Sequence, residues 1–256
     1  MTATDRRVRL DLAFDGTDFA GWQAQPTCRT VQATVEEALA AIQGFGSVRL
    51  RAAGRTDSGA HARHQVADGR IASRLDDSGL LRALAAMLPS DVRVFGIRTV
   101  ADTFHSQKDA LSKTYRYAID RSPWGDPFLA RYALHHPHAM DRDAVHDALS
   151  RLAGRRDFAG FAGSASRVLT TVRTVTEARF EERERGVAVF VFTADGFLNH
   201  MVRNLVGTLL DVARGRFAPS RVGEVLESRD RGLAGPMAAA RGLVLDRVRY
   251  AGDPES

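Results

Sequence analysis

The chain has 256 residues, 44% of them apolar and 26% charged, with 36 Lys and Arg set against 31 Asp and Glu for a net charge of +5. A chain of that size and mixture can bury a real core, as one large domain or two moderate ones. Its single cysteine, Cys28, excludes an internal disulfide and a cysteine-based zinc cluster, which suits a reducing cytoplasm.

The opening residues carry no apolar signal core, and no run reaches a membrane-spanning length, so a soluble intracellular protein is expected. Arginine carries almost all of the positive charge; the only lysines are Lys108 and Lys113. Arginine grips phosphate with two donors and stacks on bases, so an Arg-rich surface suits nucleic acid. A GC-rich genome raises Arg and Ala in the same way, and here the arginines are interleaved with acids.

Residues 1–6 read as a disordered tail. Val8, Leu10, Leu12 and Phe14 then alternate as a half-buried strand. A turn-rich loop over 15–26 carries Phe19 and Trp22. Thr30 caps a helix to about Ile42, with Val31, Val35, Ala38, Leu39 and Ile42 on one face. Alternation over 47–52 and again over 63–71 gives two strands. A helix follows over 78–88, stopped by Pro89, and then a strand over 91–100. Strand, helix, strand, strand, helix, strand points to α+β, with antiparallel strands and helices crossing one face.

Residues 104–110 form a connector and the candidate boundary between an N-terminal lobe, 1–106, and a C-terminal lobe, 107–256. Beyond it a strand over 112–120 puts Lys113, Tyr115, Tyr117 and Ile119 on one face, ordinarily core or edge packing. The stretch 121–140 is irregular; His135, His136 and His138 lack a carboxylate or cysteine spaced to complete a metal site. A helix over 141–152 turns Val145, Leu149 and Leu152 inward. Strands over 171–180 and 187–194 flank a charged hairpin tip at 181–186. The segment 195–207 opens a helix reaching about Ala213, with Met201, Leu205, Leu209 and Val212 inward and Arg203 and Leu210 off that face.

The stretch Gly54-Arg55-Thr56-Asp57-Ser58-Gly59-Ala60-His61-Ala62 stands out between its two strands. Gly54 and Gly59 allow a tight loop, and Arg55 close to Asp57 favours the ionised carboxylate. A positioned carboxylate on such a loop is a usable nucleophile or base. The same residues also make an ordinary surface turn, with Asp57 bonding its own backbone.

This stretch resembles the Gly-Arg-Thr-Asp-x-Gly-Val-His-Ala signature of the tRNA pseudouridine synthase A family, with Ala60 where valine is usual. Three further segments resemble the family in the same order. They are Asp15-Gly-Thr-Asp-Phe-Ala-Gly-Trp-Gln, the Lys113-x-Tyr115-x-Tyr117 strand, and Phe197-Leu-Asn-His-Met-Val-Arg203 with Gly207. The segments 157–161 and 241–245 resemble its His-Asp-Phe-x-x-Phe and closing Gly-Leu-x-Leu patterns. One departure is Ser106-Gln107, where Phe-x-Ala-Arg is frequent; Lys108 is the candidate substitute for that arginine.

The resemblance implies two similar α/β lobes with mostly antiparallel sheets around a central RNA-binding cleft, with Asp57 and Tyr115 facing each other across it. It implies isomerisation of uridine to pseudouridine in the anticodon stem-loop of tRNA, at positions 38, 39 and 40, by a homodimer without metal or cofactor. Asp57 would be the catalytic carboxylate, Tyr115 the ring packed on the target base, and Arg203 the partner of Asp57. Arg55, Lys113 and Trp22 would approach the substrate. Two other readings remain: a nucleosidase, which ordinarily needs a second carboxylate or a metal, and a non-catalytic RNA-binding protein that keeps the fold.

Overall fold

The computed structural model describes residues 4–163 and 169–253. The chain divides into two compact units: residues up to Leu111 together with those from Leu245 onward, and Ser112–Val244. The boundary from the sequence lay at 106/107 and left the closing strand in the second lobe.

The first unit contains β1 (Thr4–Phe14), α1 (Val31–Gln43), β2 (Leu50–Ala52), β3 (His61–Ser73), α2 (Asp77–Met87), β4 (Val92–Thr99) and, from the chain's end, β10 (Leu243–Tyr250). Its strands lie in the order β4-β1-β3-β10, with β2 also on β3. The β1–β3, β1–β4 and β2–β3 pairs are antiparallel. Strand β1 starts earlier than its apolar alternation suggests. Strand β3 is 13 residues long and pairs Ser73 with Thr4, so residues 4–6 belong to the sheet; residues 1–3 lie outside the described residues.

Helix α1 begins where the cap predicts, with the Thr30 side chain accepting from Ala33 N, and ends at Gly44 in the left-handed region, φ 81°. Its buried face includes two polar residues that an apolar count passes over. Glu36 Oε1 accepts from Leu50 N at 2.7 Å and from Gln32 Nε2 at 2.8 Å, and Gln32 Nε2 also reaches Leu50 O. The pair ties the helix to β2 while satisfying its own buried groups.

A charged network holds the closing strand. Arg9 is buried, bonds Asp11 and Asp253, and lies 4.4 Å from the centroid of the Tyr250 ring. Tyr250 donates to Ser106 O. Asp68, with no side-chain exposure, accepts from Arg7, Arg51 and the backbone of Ser106. These ion pairs and hydrogen bonds join residues distant in sequence, which is why chain order alone misplaced β10.

Burial works to raise the carboxyls of Asp11, Asp68 and Asp253. Hydrogen bonds from His64 and Arg9, from Arg51 and Ser106, and from Arg9 and Arg98 respectively outweigh it and hold all three below the usual carboxylate value.

The second unit contains β5 (Ala110–Asp120), β6 (Leu134–His135), α3 (Arg142–Ser150), β7 (Gly154–Asp157), β8 (Val172–Glu182), β9 (Val187–Ala194), α4 (Met201–Ala213) and α5 (Arg221–Ser228). Its strands follow the order β5-β9-β8-β7, all antiparallel, while the short β6 runs parallel to β5. The strands β6 and β7 and the helix α5 were not anticipated. The first two are four residues or shorter, and α5 spans only eight, too little for periodicity to register.

Helix α4 corrects the amphipathic reading. Leu210 is buried, and of its 13 residues only Arg203 is outside the buried set. The segment around Pro236 covers the side opposite the expected apolar face: a Cβ on Gly207 would stand 1.6 Å from Pro236 O. Among the described residues, no helix is long and apolar enough to cross a membrane.

The acid limb of stability follows from these groups. Burial, with His138 and nearby arginines, lowers His136 from 6.5 to about 4. Between those values the unfolded chain takes up a proton that the folded chain refuses, so stability falls as pH drops from 6.5 toward 4. The three carboxylates act lower: their contribution is full above their unfolded value and is lost as pH falls through their folded values. Thermal midpoints measured from pH 8 to pH 3 should therefore decline in two stages. His136→Asn should flatten the upper stage alone; an unchanged upper slope would remove His136 from it.

Candidate active site

In the first unit the loop joining β2 to β3 carries Asp57. Backbone hydrogen bonds hold it at both ends and across its middle. On the strand side, Ala53 N donates to Val66 O at 2.8 Å, and buried Gln65 donates from Nε2 to Gly54 O at 2.7 Å. The turn closes with Ala60 N donating to Asp57 O at 3.1 Å, with Gly59 at φ 78°, a conformation in which glycine carries no Cβ penalty.

From the other side, the loop between β1 and α1 grips the same residues. Trp22 N donates to Thr56 O at 3.1 Å, Gly59 N and Ser58 Oγ donate to Phe19 O at 3.2 Å each, and Gly16 N donates to His61 Nδ1 at 3.0 Å. This gripping loop is itself fastened to the start of α1 through Val31 N to Gly21 O and Gln32 N to Trp22 O. Two glycines make the close approach possible. A Cβ on Gly16 would lie 1.8 Å from Ala60 O, and one on Gly21, at φ 90°, would lie 2.6 Å from Thr56 O. Asp57 is half-buried and Arg55 exposed on this held loop.

Trp22 needs correction as a substrate-contacting residue. It is 1% exposed and its ring packs near Phe14, with centroids 6.3 Å apart. An indole enclosed in the core has no surface to offer RNA. What the Asp-Gly-Thr-x-Phe-x-Gly-Trp segment contributes is its backbone, which fixes the Asp57 loop. Trp22 is large, and large side chains are the ones a core uses to exclude water.

Near the connector, buried Ser106 donates from Oγ to Arg51 O at 2.7 Å and gives its backbone N–H to Asp68. Ser106 is thus part of the charged network, while Gln107 and Lys108 are exposed beside it.

In the second unit, β5 places Lys113, Tyr115 and Tyr117 on its buried face. Tyr115 is 7% exposed and meets Phe197 edge to face, with centroids 4.9 Å apart and planes at 80°. Phe197, which the sequence offered only as part of a motif, therefore sets the tilt of the tyrosine ring. Tyr117 donates to Ala239 O at 2.7 Å, and burial pushes its phenol well up. It is a core residue. Lys113 is 8% exposed; burial, then Arg173, lowers its ammonium to about 8, against the opposing pull of Asp195.

Arg203 lies in the first turn of α4, half-buried, with Nε donating to Ala238 O at 2.8 Å while Ala238 N returns a bond to Arg203 O. That exchange fixes the direction of the guanidinium. Its neighbour Asn204 is buried, donates to Phe161 O at 2.8 Å and accepts from Arg231 at 2.9 Å. Asn204 and Arg231 thus orient the helix, and no sequence period pointed to either of them.

A family model described as tRNA pseudouridine synthase matches residues 148–251. The tRNA pseudouridine synthase A of Streptococcus mutans serotype c is 38% identical over 245 residues, covering 95% of this chain and 98% of its own. The protein of the same name from Streptococcus pneumoniae strain 70585 is 39% identical over the same coverage. A chain from the crystal structure of a Cbf5-Nop10-Gar1 complex aligns over 93% of this chain and 48% of its own length, at 13% identity and a TM-score of 0.39, a likeness too loose to build on. Identity of that order, sustained over nearly the whole length of both partners, places this chain in the tRNA pseudouridine synthase A family.

Proposed function

We propose that this protein isomerises uridine to pseudouridine in the anticodon stem-loop of tRNA, at positions 38, 39 and 40, as a cytoplasmic homodimer. The observation that supports it most is the Asp57 loop. Its motif aspartate is half-buried on a segment held by backbone hydrogen bonds from two sides, in a chain of this family.

The reaction breaks the N1–C1′ bond and joins the same uracil through C5. Asp57 serves as carboxylate in one of two ways: attack on C1′, or removal of the C2′ proton to leave a glycal. Either releases uracilate, which must turn without escaping before C5 bonds to C1′, displacing the Asp57 carboxylate on the first route or, on the second, adding to the glycal as the proton returns to C2′; the C5 proton then leaves to base. A target base within a stem has first to be turned out of its stack, at a few kcal/mol. Tyr115 is assigned to the face of that base and Arg203 to the Asp57 carboxylate, where a cation favours the ionised form. Arg55 and Lys113 are assigned to the RNA backbone. Recognition by tRNA shape and phosphates is what structured RNA ordinarily permits.

The test is tritium release from tRNA labelled at uridine C5, with the modified positions then mapped. Release with the RNA chain intact, confined to positions 38–40, is the expected result; binding without release from any labelled tRNA would favour a non-catalytic RNA-binding protein. Tyr115 gives a second prediction. Tyr115→Phe keeps the ring and should retain activity within about tenfold, whereas Tyr115→Leu removes an aromatic contact worth ~1–3 kcal/mol per base and should lose considerably more. Equal activity in both variants would end the base-packing role.

A further inference from the structure

His61 opens β3 four residues after Asp57, and it is 4% exposed. Its Nδ1 stands between two groups that ask opposite things of it. Gly16 N, a donor, lies 3.0 Å away, and Asp15 Oδ1, an acceptor, lies 3.1 Å away. With a proton on Nδ1 the ring serves Asp15 and confronts the Gly16 N–H. With Nδ1 bare it accepts from Gly16 and turns a lone pair toward the carboxylate.

The neighbouring bonds decide between the two forms. Gly16 is buried, and a buried peptide N–H is rarely left without an acceptor. Asp15 has other donors: its Oδ1 accepts from Thr17 N at 3.0 Å and from Thr17 Oγ1 at 2.6 Å. The carboxylate keeps those bonds in either form of the ring, whereas the Gly16 N–H has its bond only when Nδ1 is bare. A ring nitrogen that accepts carries no proton, so the ring is neutral and protonated on Nε2.

That one lone pair acts on the Asp57 turn over a short path. Gly16 sits so close to the residue before His61 that a Cβ on it would stand 1.8 Å from Ala60 O. Ala60 N in turn donates to Asp57 O at 3.1 Å. The Gly16–His61 distance therefore sets the spacing of the gripping loop from Ala60, and one further hydrogen bond passes that spacing to Asp57.

We infer that His61 is a further positioning residue of the proposed reaction: its bare Nδ1, accepting from Gly16 N, sets where Asp57 stands. The inference rests on the role given to Asp57 above and goes beyond it, since the ring touches no reacting atom.

Two variants of nearly the same shape separate the acceptor from the bulk. His61→Asn puts an amide oxygen where Nδ1 stood, and His61→Leu puts a methyl group there. Tritium release at saturating tRNA should stay within about tenfold of wild type in His61→Asn. In His61→Leu it should fall about 100-fold, the scale of a displacement near 1 Å, with KM for tRNA and the circular dichroism spectrum unchanged in both. Equal rates in the two variants overturn the inference, as does a loss in His61→Leu carried by KM alone. The proton is read independently of activity, by two-dimensional NMR of the full chain labelled with 15N-histidine at neutral pH. The His61 signals are those that His61→Asn removes, and a bare Nδ1 with a proton on Nε2 is expected. A proton on Nδ1 overturns the inference whatever the rates. No tritium release from wild-type protein overturns both this inference and the proposed reaction; failure of the inference alone is told apart because the wild type is then active.

Discussion

Asp57→Asn should bind tRNA with little change and release no measurable tritium, a loss of at least ~10⁴-fold in turnover, the scale seen when a nucleophile acting with its partners is removed. The substitution is nearly isosteric and leaves the clamps described above in place, because those bonds run through the backbone of Thr56, Asp57, Gly59 and Ala60 and the side chains of Ser58, His61 and Gln65. The fold of the loop should therefore be retained, with an unchanged circular dichroism spectrum. What changes is chemical: an amide neither attacks C1′ nor accepts the C2′ proton as a carboxylate does. Residual turnover within a hundredfold of wild type would remove Asp57 from the bond-breaking step. A large drop in the thermal midpoint would instead assign it a structural role.

Gly16→Ala should damage the site without touching a reacting group. Its new Cβ would stand 1.8 Å from the backbone oxygen of Ala60, and a backbone oxygen cannot swing away as a side chain can. Either the gripping loop or the Asp57 turn must shift. A displacement near 1 Å costs about 100-fold in rate, and forced overpacking costs roughly 1–3 kcal/mol, or a fall of very roughly 2–12 °C in midpoint for a chain of this size. The contrast is Gly44→Ala. Gly44 has a left-handed φ of 81° but nothing within 4 Å of a Cβ, so only backbone strain of about 1–2 kcal/mol is added, outside the Asp57 loop. Measured side by side at a temperature where both are folded, Gly16→Ala should lose activity and Gly44→Ala should keep it. Equal activity would mean that the clamp does not set the position of Asp57.

Much of the second-order structure was legible because its signals are local. The Thr30 cap and Gly44 stop bound α1, Asp141 caps α3 by accepting from Ala144 N, and alternation in β1 and β5 reflects one backbone geometry repeated every two residues, while β9 is a nearly continuous apolar run. The family was legible too, since its motifs are short runs whose residue order survives in any sequence. Trp22 shows the limit of such motifs: the resemblance carried the residue but not its burial. The ring faces the core, and the motif's service to the site passes through peptide N–H groups and through glycines that let two loops approach closely.

By itself, the sequence determined the α+β class, most element positions, and the candidate residues Asp57, Tyr115 and Arg203, because caps, periodicity and motif spacing are properties of neighbouring residues. Only the tertiary structure decided that β10 returns to the first unit, that α4 is covered on the side bearing Leu210, and that Phe197, Asn204 and Arg231 support the motif residues. Each of those depends on contacts between residues far apart in the chain, and no local pattern records which distant backbone oxygen a side chain will find.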